Sequence, residues 1–436
     1  MIRLFRRSLL ASGMLACLPA MAAPVFHPAG TNLTHGAASN GDTVFAATAN
    51  PAATSLAIDP DARVRMGLLP NAGAGYEVGP VDGFADEVDD LIDLLDADFA
   101  TVNEAQDAAD RFNAILPEIG RDGYVKAYAA GHVPLFPLMV RTDGLLGGVW
   151  SFDISFAGEG WAGILDDPVT VDTVNLEAQS NTAAYVKGAE ITEFAVGHSR
   201  SLFRLGPGEV FVGGRIKYIQ MALSKQVVLL ESVEDDDDFA DVVRDGYEEN
   251  QEEGSGITAD AGLTWASDSL RLGFSVANLT EPEFDYGPVG FNCNDITDSV
   301  QRDNCFAAVY FADRIAREES HVLERQATVS AGLSLFGGSL ALSASHDLNE
   351  INDPVGTRYQ WSTVAAGFQP RTWWVPGLRL GYRQNNAGSE LSMVTAGATL
   401  FRVIRLDVGY GLEDVTYEDE TYPRTAAVNL SVEAQF

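Results

Sequence analysis

The stretch Thr425-Ala-Ala-Val-Asn-Leu-Ser-Val-Glu-Ala-Gln-Phe436 decides the fold. Side chains on a strand alternate between its two faces. Ala426, Val428, Leu430, Val432, Ala434 and Phe436 therefore share one face, and Thr425, Asn429, Ser431, Glu433 and Gln435 share the other, with only Ala427 neutral there. One lipid-compatible face and one wet face is what a membrane β-barrel requires. A soluble antiparallel strand alternates in the same way, so the rest of the chain has to discriminate.

The front end points to export. Arg3, Arg6 and Arg7 form a positive n-region, Leu9 to Leu18 is a short apolar run broken by Ser12 and Gly13, and Ala20-Met21-Ala22 is a small-x-small cleavage site. Residues 1–22 read as a signal peptide, too short for a membrane helix. Leu15-Ala16 before Cys17 also permits a lipoprotein reading, for which Met14 and Leu15 are poor matches. No later stretch has the roughly 20 consecutive apolar residues of a spanning helix. If the chain crosses a membrane, it does so as a barrel.

Hydrophobic residues make up 46% of the 436, yet mean hydropathy is near zero, as expected of apolar faces interleaved with polar ones. The formal charge of −34 falls to −37 once the three leader arginines are gone. Such acidity argues against nucleic acid, which needs basic patches. It fits a heavily solvated surface, or divalent cations on exposed loops.

Strand-like segments lie at 62–69, 123–130, 147–157, 186–199, 209–221, 257–266, 270–277, 327–336, 339–347, 358–368, 375–385, 391–400, 403–411 and 425–436. That is fourteen, an even number as in bacterial barrels. Connections sort by parity. The odd ones, 70–122, 158–185, 222–256, 278–326, 348–357, 386–390 and 412–424, are mostly long, whereas Ser267-Asp268, Gly337-Gly338 and Phe401-Arg402 are tight turns. A soluble sandwich has no reason to sort loops this way. The expected fold is all-β: an antiparallel transmembrane barrel of about 14 strands over residues 57–436, with an N-terminal plug and a helical extracellular insertion.

The outside loops collect the irregular features. An insertion at 82–117 carries Phe84, Val88, Leu91, Ile92, Leu95 and Phe99 at helical spacing against an acidic face, then a weaker helix from about Asn103 to Leu116 that stops at Pro117. The acidic loop 222–256 contains Glu234, Asp235, Asp236, Asp237 and Asp238. These lack the glycine and ligand spacing of an EF-hand and make only a weak calcium candidate. Cys293 and Cys305, in loop 278–326, are the two cysteines left after processing. An even count in an exported chain suggests a disulfide, and the polar run between them holds no histidine or Cys-x-x-Cys pair for a metal. Residues 23–56 are rich in small residues, too polar and broken for a strand, and suited to thread the lumen as a plug.

Enzyme signatures are missing. The histidines stand at no metal-ligand spacing, there is no Gly-x-Ser-x-Gly elbow, and no phosphate-cradling loop occurs. His198-Ser199 is an adjacent pair at a strand end, but neighbours on a strand point to opposite faces. His346 and Asp347 are likewise a strand end and not a dyad. No catalytic residue, metal or cofactor is expected.

Six stretches, in order, carry a family resemblance. They are Asn50-Pro51-Ala52 after Asp42-Thr43-Val44-Phe45, Gly214-Arg215-Ile216-Lys217-Tyr218, Asp260-Ala261-Gly262-Leu263, Gly273 to Phe284, Asp347-Leu348-Asn349-Glu350, and Leu380-Gly381-Tyr382-Arg383-Gln384-Asn385. In these the chain resembles the TraF-like conjugal-transfer family of outer-membrane proteins, related to the FadL and PorV barrels. The resemblance implies a monomeric outer-membrane barrel whose plug signature is Asn50, Pro51 and Ala52. It implies passage of small hydrophobic molecules through a lateral opening, as in FadL-type barrels, or partnership with a secretion or conjugation protein, as in PorV-type barrels. The Cys-x-x-Cys of some proteins called TraF is absent. Expected partners are outer-membrane lipid, the barrel-assembly machinery reading Phe436 as an insertion signal, and a small hydrophobic ligand or a partner protein. A structural or assembly barrel, and more remotely an outer-membrane hydrolase, are the alternatives.

Overall fold

Alternation does organise the wall. The computed structural model describes residues 32–35, 43–69, 71–95, 97, 99–144, 147–232, 236–370, 372–417 and 420–436. The expected signal peptide, Cys17, Glu234 and Asp235 lie outside the described residues. The strands of the large sheet are β1 Val64–Gly67, β2 Ala72–Val78, β3 Tyr124–His132, β4 Leu138–Thr142, β5 Gly148–Leu165, β6 Ala183–Leu205, β7 Gly208–Leu229 and β8 Glu252–Ala266. They continue as β9 Leu270–Ala277, β10 Gln326–Leu335, β11 Leu340–Asp347, β12 Trp361–Phe368, β13 Gly377–Asn385, β14 Ser392–Leu400, β15 Ile404–Gly411 and β16 Thr425–Gln435. Strand β2 pairs β3 and β16, β5 pairs β3 and β6, and sequential neighbours pair from β6 to β15, where β15 meets β16. The ring closes, and every pairing is antiparallel.

The short strands β1 and β4 pair with each other, β1 also with β16 and β4 with β5. They continue β2 and β3 across an interruption, so sixteen strands fill a barrel of 14 positions. The first strand thus runs on to Val78 and does not end at Leu69, and the first outer loop starts after it. The glycines and alanines of Ala72–Val78 (Ala-Gly-Ala-Gly-Tyr-Glu-Val) hid this strand from a reading based on β-branched residues.

The polarity of the wall is the reverse of a soluble protein's. Ile216, Ile257, Leu272, Val364, Leu380, Val408 and Leu430 face outward and are exposed, while Asp153, Lys217, Thr264, Arg379, Asp407 and Ser431 face inward and are buried. Exposed apolar side chains on one phase of every strand form a lipid-facing band. The helices do not supply a crossing, since none among the described residues is long and apolar enough.

Connections at one end are short, among them 206–207, 267–269 and 401–403, and at the other long, with 79–123, 230–251 and 278–325 the longest. On the long-loop side β5, β6 and β7 reach 18, 23 and 22 residues and rise above the band. These strands take up much of what read as loops 158–185 and 222–256. The raised sheet is covered on both faces. Helices α3 Phe84–Leu95 and α4 Val102–Asp122 pack Leu91, Phe112, Leu116 and Ile119 on its outward residues Ile164, Ala184, Val186 and Val228. (The two short N-terminal helices, α1 Asn32–His35 and α2 Ala46–Ala49, are described below.) Helix α5, Asp236–Glu249, sits on the same face, its Val243 carbonyl taking the Gln226 amide at 2.6 Å. On the inward face Leu165, Ala183 and Val227 meet Ala307, Ala308, Phe311 and Ile315, the first two from helix α6, Ser299–Tyr310.

Helix α4 does not stop at Pro117. A proline inside a helix costs ~3 kcal/mol or more. Burial of Leu116 and Ile119, each worth about 1.5–3 kcal/mol, offsets it, and Asn113 clamps the same turn by two hydrogen bonds to the Val169 backbone. Asp236, Asp237 and Asp238 begin helix α5 and are not part of a loop. Cys293 and Cys305 are disulfide-bonded, Cα to Cα 5.5 Å.

Candidate functional site

Inward phase brings charges from five strands together in the lumen. Arg215 and Lys217 are two apart on β7 and so share the inner face. Arg215 stands directly opposite Asp260 of β8. Its guanidinium donates to Glu193 of β6 at 2.5 Å and to Asp153 of β5 at 2.8 Å, with Asp260 at 3.5 Å. Lys217 reaches Asp260 at 2.8 Å and the Asn278 side-chain oxygen at 2.6 Å. His132 of β3 closes the group, 3.5 Å from Asp153. All are buried. The stretches around 215, 260 and 278 singled out in the sequence therefore meet at one network. Asp153, Glu193 and His132 were missed, although their polar phase on apolar-alternating strands was legible.

The N-terminal segment lies against this inner wall. The Asn50 amide donates to the carbonyls of Leu263 and Phe274 and to the Thr264 hydroxyl, each at 3.3 Å, while its oxygen caps the 3-10 turn Pro51–Leu56 through Ala52 N–H at 2.9 Å. Ser199 donates to the Ala52 carbonyl at 2.9 Å, and Ser275 to Ala49, the last residue of α2, at 3.1 Å. Glycine is needed at two inward positions. A side chain at Gly213 would strike the Pro51 carbonyl, and one at Gly262 the Asn50 amide oxygen. Nearer the short-turn end, Thr43 and the Val44 N–H bind Glu433, which also pairs with Arg65 at 2.8 Å and Arg405 at 3.2 Å.

The long-loop mouth is filled by its own loops. Glu319 of loop 278–325 meets Lys187 at 2.5 Å and Lys225 at 3.5 Å, with the Tyr286 ring under both cations. Asp353 of loop 348–360 pairs with Lys126, which also lies 3.1 Å from Glu159. Phe284, Leu323, Ile351 and Val355 pack against inward Ile191, Ile219 and Leu223. Tyr359 belongs to a small hairpin in this cap, so the barrel strand expected from Arg358 starts at Trp361.

The wall itself is broken at one level. The first strand is interrupted between Gly67 and Ala72 and the second between His132 and Leu138, side by side. Outward Phe152 and Ile154 of β5 flank the break, which places it within the apolar band. Asn71, fully buried, holds the gap. Its backbone oxygen accepts from His132 N–H at 2.9 Å, its side-chain oxygen from Val432 N–H at 2.9 Å, and its amide donates to the Phe136 carbonyl at 3.3 Å. One side chain so replaces ladder bonds to both neighbouring strands. In the sequence Asn71 falls within the connection 70–122 expected outside the barrel. Above the break a small cavity is lined by Gly73, Ala130, Tyr128, Tyr359, Trp361 and Arg383.

The other singled-out residues stand apart from the lumen. His198 faces outward against Trp150, ring centroids 4.7 Å apart, while Ser199 faces inward, so the pair makes no dyad. His346 bonds Ser362 on the outside and Asp347 takes Thr328 on the inside. Phe436 is 68% exposed, its N–H donating to the Val64 carbonyl. Among the described residues no three His, Cys, Asp or Glu are arranged to hold a metal.

A family model described as "F plasmid transfer operon, TraF, protein" matches residues 47–347. No curated protein matches the chain. Among solved structures, the CymD monoaromatic hydrocarbon channel is 10% identical, covering 94% of this chain and 99% of that one at a TM-score of 0.42. The Pseudomonas putida toluene transporter TodX is 11% identical over 94% and 99%, TM-score 0.39. A Pseudomonas aeruginosa FadL homologue is 12% identical over 96% and 99%, TM-score 0.35.

Proposed function

We propose, for a chain that belongs to the family of the F plasmid transfer operon protein TraF, that this outer-membrane barrel passes small hydrophobic molecules sideways through its wall, with the N-terminal segment as the plug. The carrying observation is the paired break, between Gly67 and Ala72 in the first strand and between His132 and Leu138 in the second. Irregular backbone at membrane depth is tolerated only where it is buried or lines a cavity. Here it stands beside a lumen whose inner wall carries contacts to the segment 43–58 and whose long-loop mouth is packed with loops. A molecule dissolved in the bilayer or leaving the lumen would meet least structure at this point.

The test is uptake of a small aromatic hydrocarbon by proteoliposomes. Asn71→Ala leaves the Val432 N–H and the Phe136 carbonyl unpaired, and uptake is expected to rise severalfold. A disulfide lock at Ala72→Cys and Gly131→Cys, a facing pair beside the break, is expected to suppress it. Because Asn71 and His132 form the hydrogen-bonded pair, 72 and 131 are the closer, non-hydrogen-bonded one, within reach of a disulfide. Uptake no faster than in empty vesicles, or indifferent to the lock and to deletion of residues 23–56, would sink the proposal.

A second reading, an assembly or secretion partner, is favoured by the raised sheet, whose covering helices present Asp86, Asp90, Asp93 and Asp107 to the outside. Cysteine crosslinking from Asp90 and Asp107 that captures no protein in cells would remove it.

A further inference from the structure

Both faces of the raised sheet are covered, but one of its edges is not. At the other edge β5 is paired with β3 as far as Gly163. Strand β7 is paired with β8 only as far as Leu223. Its last stretch, 224–229, has β6 on one side and, among the described residues, no strand on the other. The phase of this stretch is fixed at its top. Leu230 N–H donates to the Thr182 carbonyl at the start of β6, whereas Leu229 N–H turns away and donates to the Asn304 side-chain oxygen at 2.8 Å. Successive residues of a strand turn their backbone groups to opposite edges. Lys225 and Val227 therefore turn theirs away from β6 as well. Asn304 occupies one rung of a ladder whose next rungs, at Val227 and Lys225, have no strand beside them.

At Val227 the edge opens on a cleft of about 490 Å³, within the range of ligand-binding clefts. Its two walls differ in chemistry. Helix α5 contributes Asp241, Asp245 and Glu249, spaced by four along one exposed face. The disulfide-stapled loop contributes Val289, Ile296 and Val300, with Asp298 among them. No lysine or arginine is among the described residues that line the cleft, and Arg244, which pairs with Asp241 and Asp245, stands outside it. The Gln226 amide ties α5 to β7, and Asn304 ties the stapled loop to it, so the cleft exists before a guest arrives.

An unpaired strand edge is a template for another chain, and addition of a strand to such an edge is a general mode of peptide recognition. We propose that 224–229 is a docking edge, to which an extended segment of a partner protein adds as a further strand beyond the end of β8. The side chains of a strand alternate between its faces, so the two walls prescribe the guest. Lysine or arginine stands at one phase, toward Asp241, Asp245 and Glu249, and apolar residues stand at the other, toward Val289, Ile296 and Val300. At roughly 3.4 Å per residue the open edge takes a segment of about six residues. The assignment goes beyond the transport reading and does not depend on it. It concerns neither the lumen nor the acidic face of α3 and α4.

Calorimetric titration of the purified full chain in a non-ionic detergent compares two capped hexapeptides of equal composition and charge. One alternates lysine and valine, and the other has three lysines followed by three valines. The alternating peptide should bind roughly tenfold more tightly, the worth of one or two hydrogen bonds that only it can make while matching both walls. It should also slow hydrogen exchange of the Val227 amide. Val227→Pro removes that N–H at an edge position, where proline is tolerated, and should bring the two peptides level. Asp241→Asn, Asp245→Asn and Glu249→Gln combined should weaken the alternating peptide severalfold. Equal affinity for the two peptides, no binding of either, or unchanged exchange at Val227 with the alternating peptide bound overturns the proposal. Exchange is read on the native chain, so it decides the matter should Val227→Pro fail to fold. The two readings fail separately. Absence of docking leaves hydrocarbon uptake untouched, and absence of uptake leaves the docking edge standing.

Discussion

At the scale of single residues the lumen is an electrostatic arrangement whose members cannot be removed one at a time. Arg215 satisfies Glu193 and Asp153 directly and faces Asp260. Removing one partner of a buried ion pair leaves an uncompensated charge, typically at 3–5 kcal/mol, whereas removing both is far milder. Arg215→Met is therefore expected to destabilise the barrel by about 3–5 kcal/mol in denaturant unfolding from lipid vesicles. Glu193→Gln added to it should recover part of that loss. Equal stability of Arg215→Met and the native chain would show that the network is hydrated and that its geometry carries little energy. The inward phase of these residues was legible from alternation. Their mutual contacts were not, because which strand lies beside which, and in what register, is set by the whole ring. Asn71 was illegible for a different reason, since its work depends on two backbone groups, at 136 and 432, far away in the chain.

At the scale of elements the decisive piece is loop 278–325, which is stapled by Cys293–Cys305 and turned into the mouth. The staple was readable from cysteine count alone, but the inward turn was not, because it depends on Lys187 and Lys225 waiting on the inner wall for Glu319. The hairpin Glu283–Asp285 with Ser320–Val322 buries His321 within this cap. Burial, helped by the charge of Lys187, pushes the imidazole down to about 4 against the opposing pull of Asp353 and Glu319. The unfolded loop binds a proton near pH 6.5 and the folded one only near 4, so the cap keeps this contribution above pH 6.5 and loses it as pH falls from 6.5 to 4. The loss is bounded at about 3 kcal/mol. Hydrogen exchange across 278–325 should therefore accelerate between pH 6.5 and 5, after correction for the intrinsic rate, and His321→Phe should flatten that window. Acceleration that persists in the variant would shift the cause to the carboxylates.

At the scale of the whole molecule, fold class was legible because lipid imposes a rule that each strand obeys independently. Helices α3 and α4 were legible as amphipathic, but their seat on the outer face of β5, β6 and β7 was not, because nothing in the sequence of those strands marks where the lipid-facing band ends and the raised sheet begins. The same rule gives the sharpest test of the architecture. Leu380 is 64% exposed near the middle of β13, while Arg379 beside it is buried on the inner face and pairs with Asp407 at 2.6 Å. In a soluble protein an exposed Leu→Arg change is nearly neutral, within about 0.5 kcal/mol. On the lipid face near the midplane it costs ~2–4 kcal/mol. Leu380→Arg is accordingly expected to lower the folding free energy in vesicles by that amount. Tyr410→Arg, on the same face of β15 but at its long-loop end, should cost less, since the penalty falls toward the interface. The two variants place the same arginine at exposed sites on the same face and differ in depth. A cost that ignored depth would mean that the apolar phase covers protein and not lipid, and the barrel would have to be reassigned as an interface between chains.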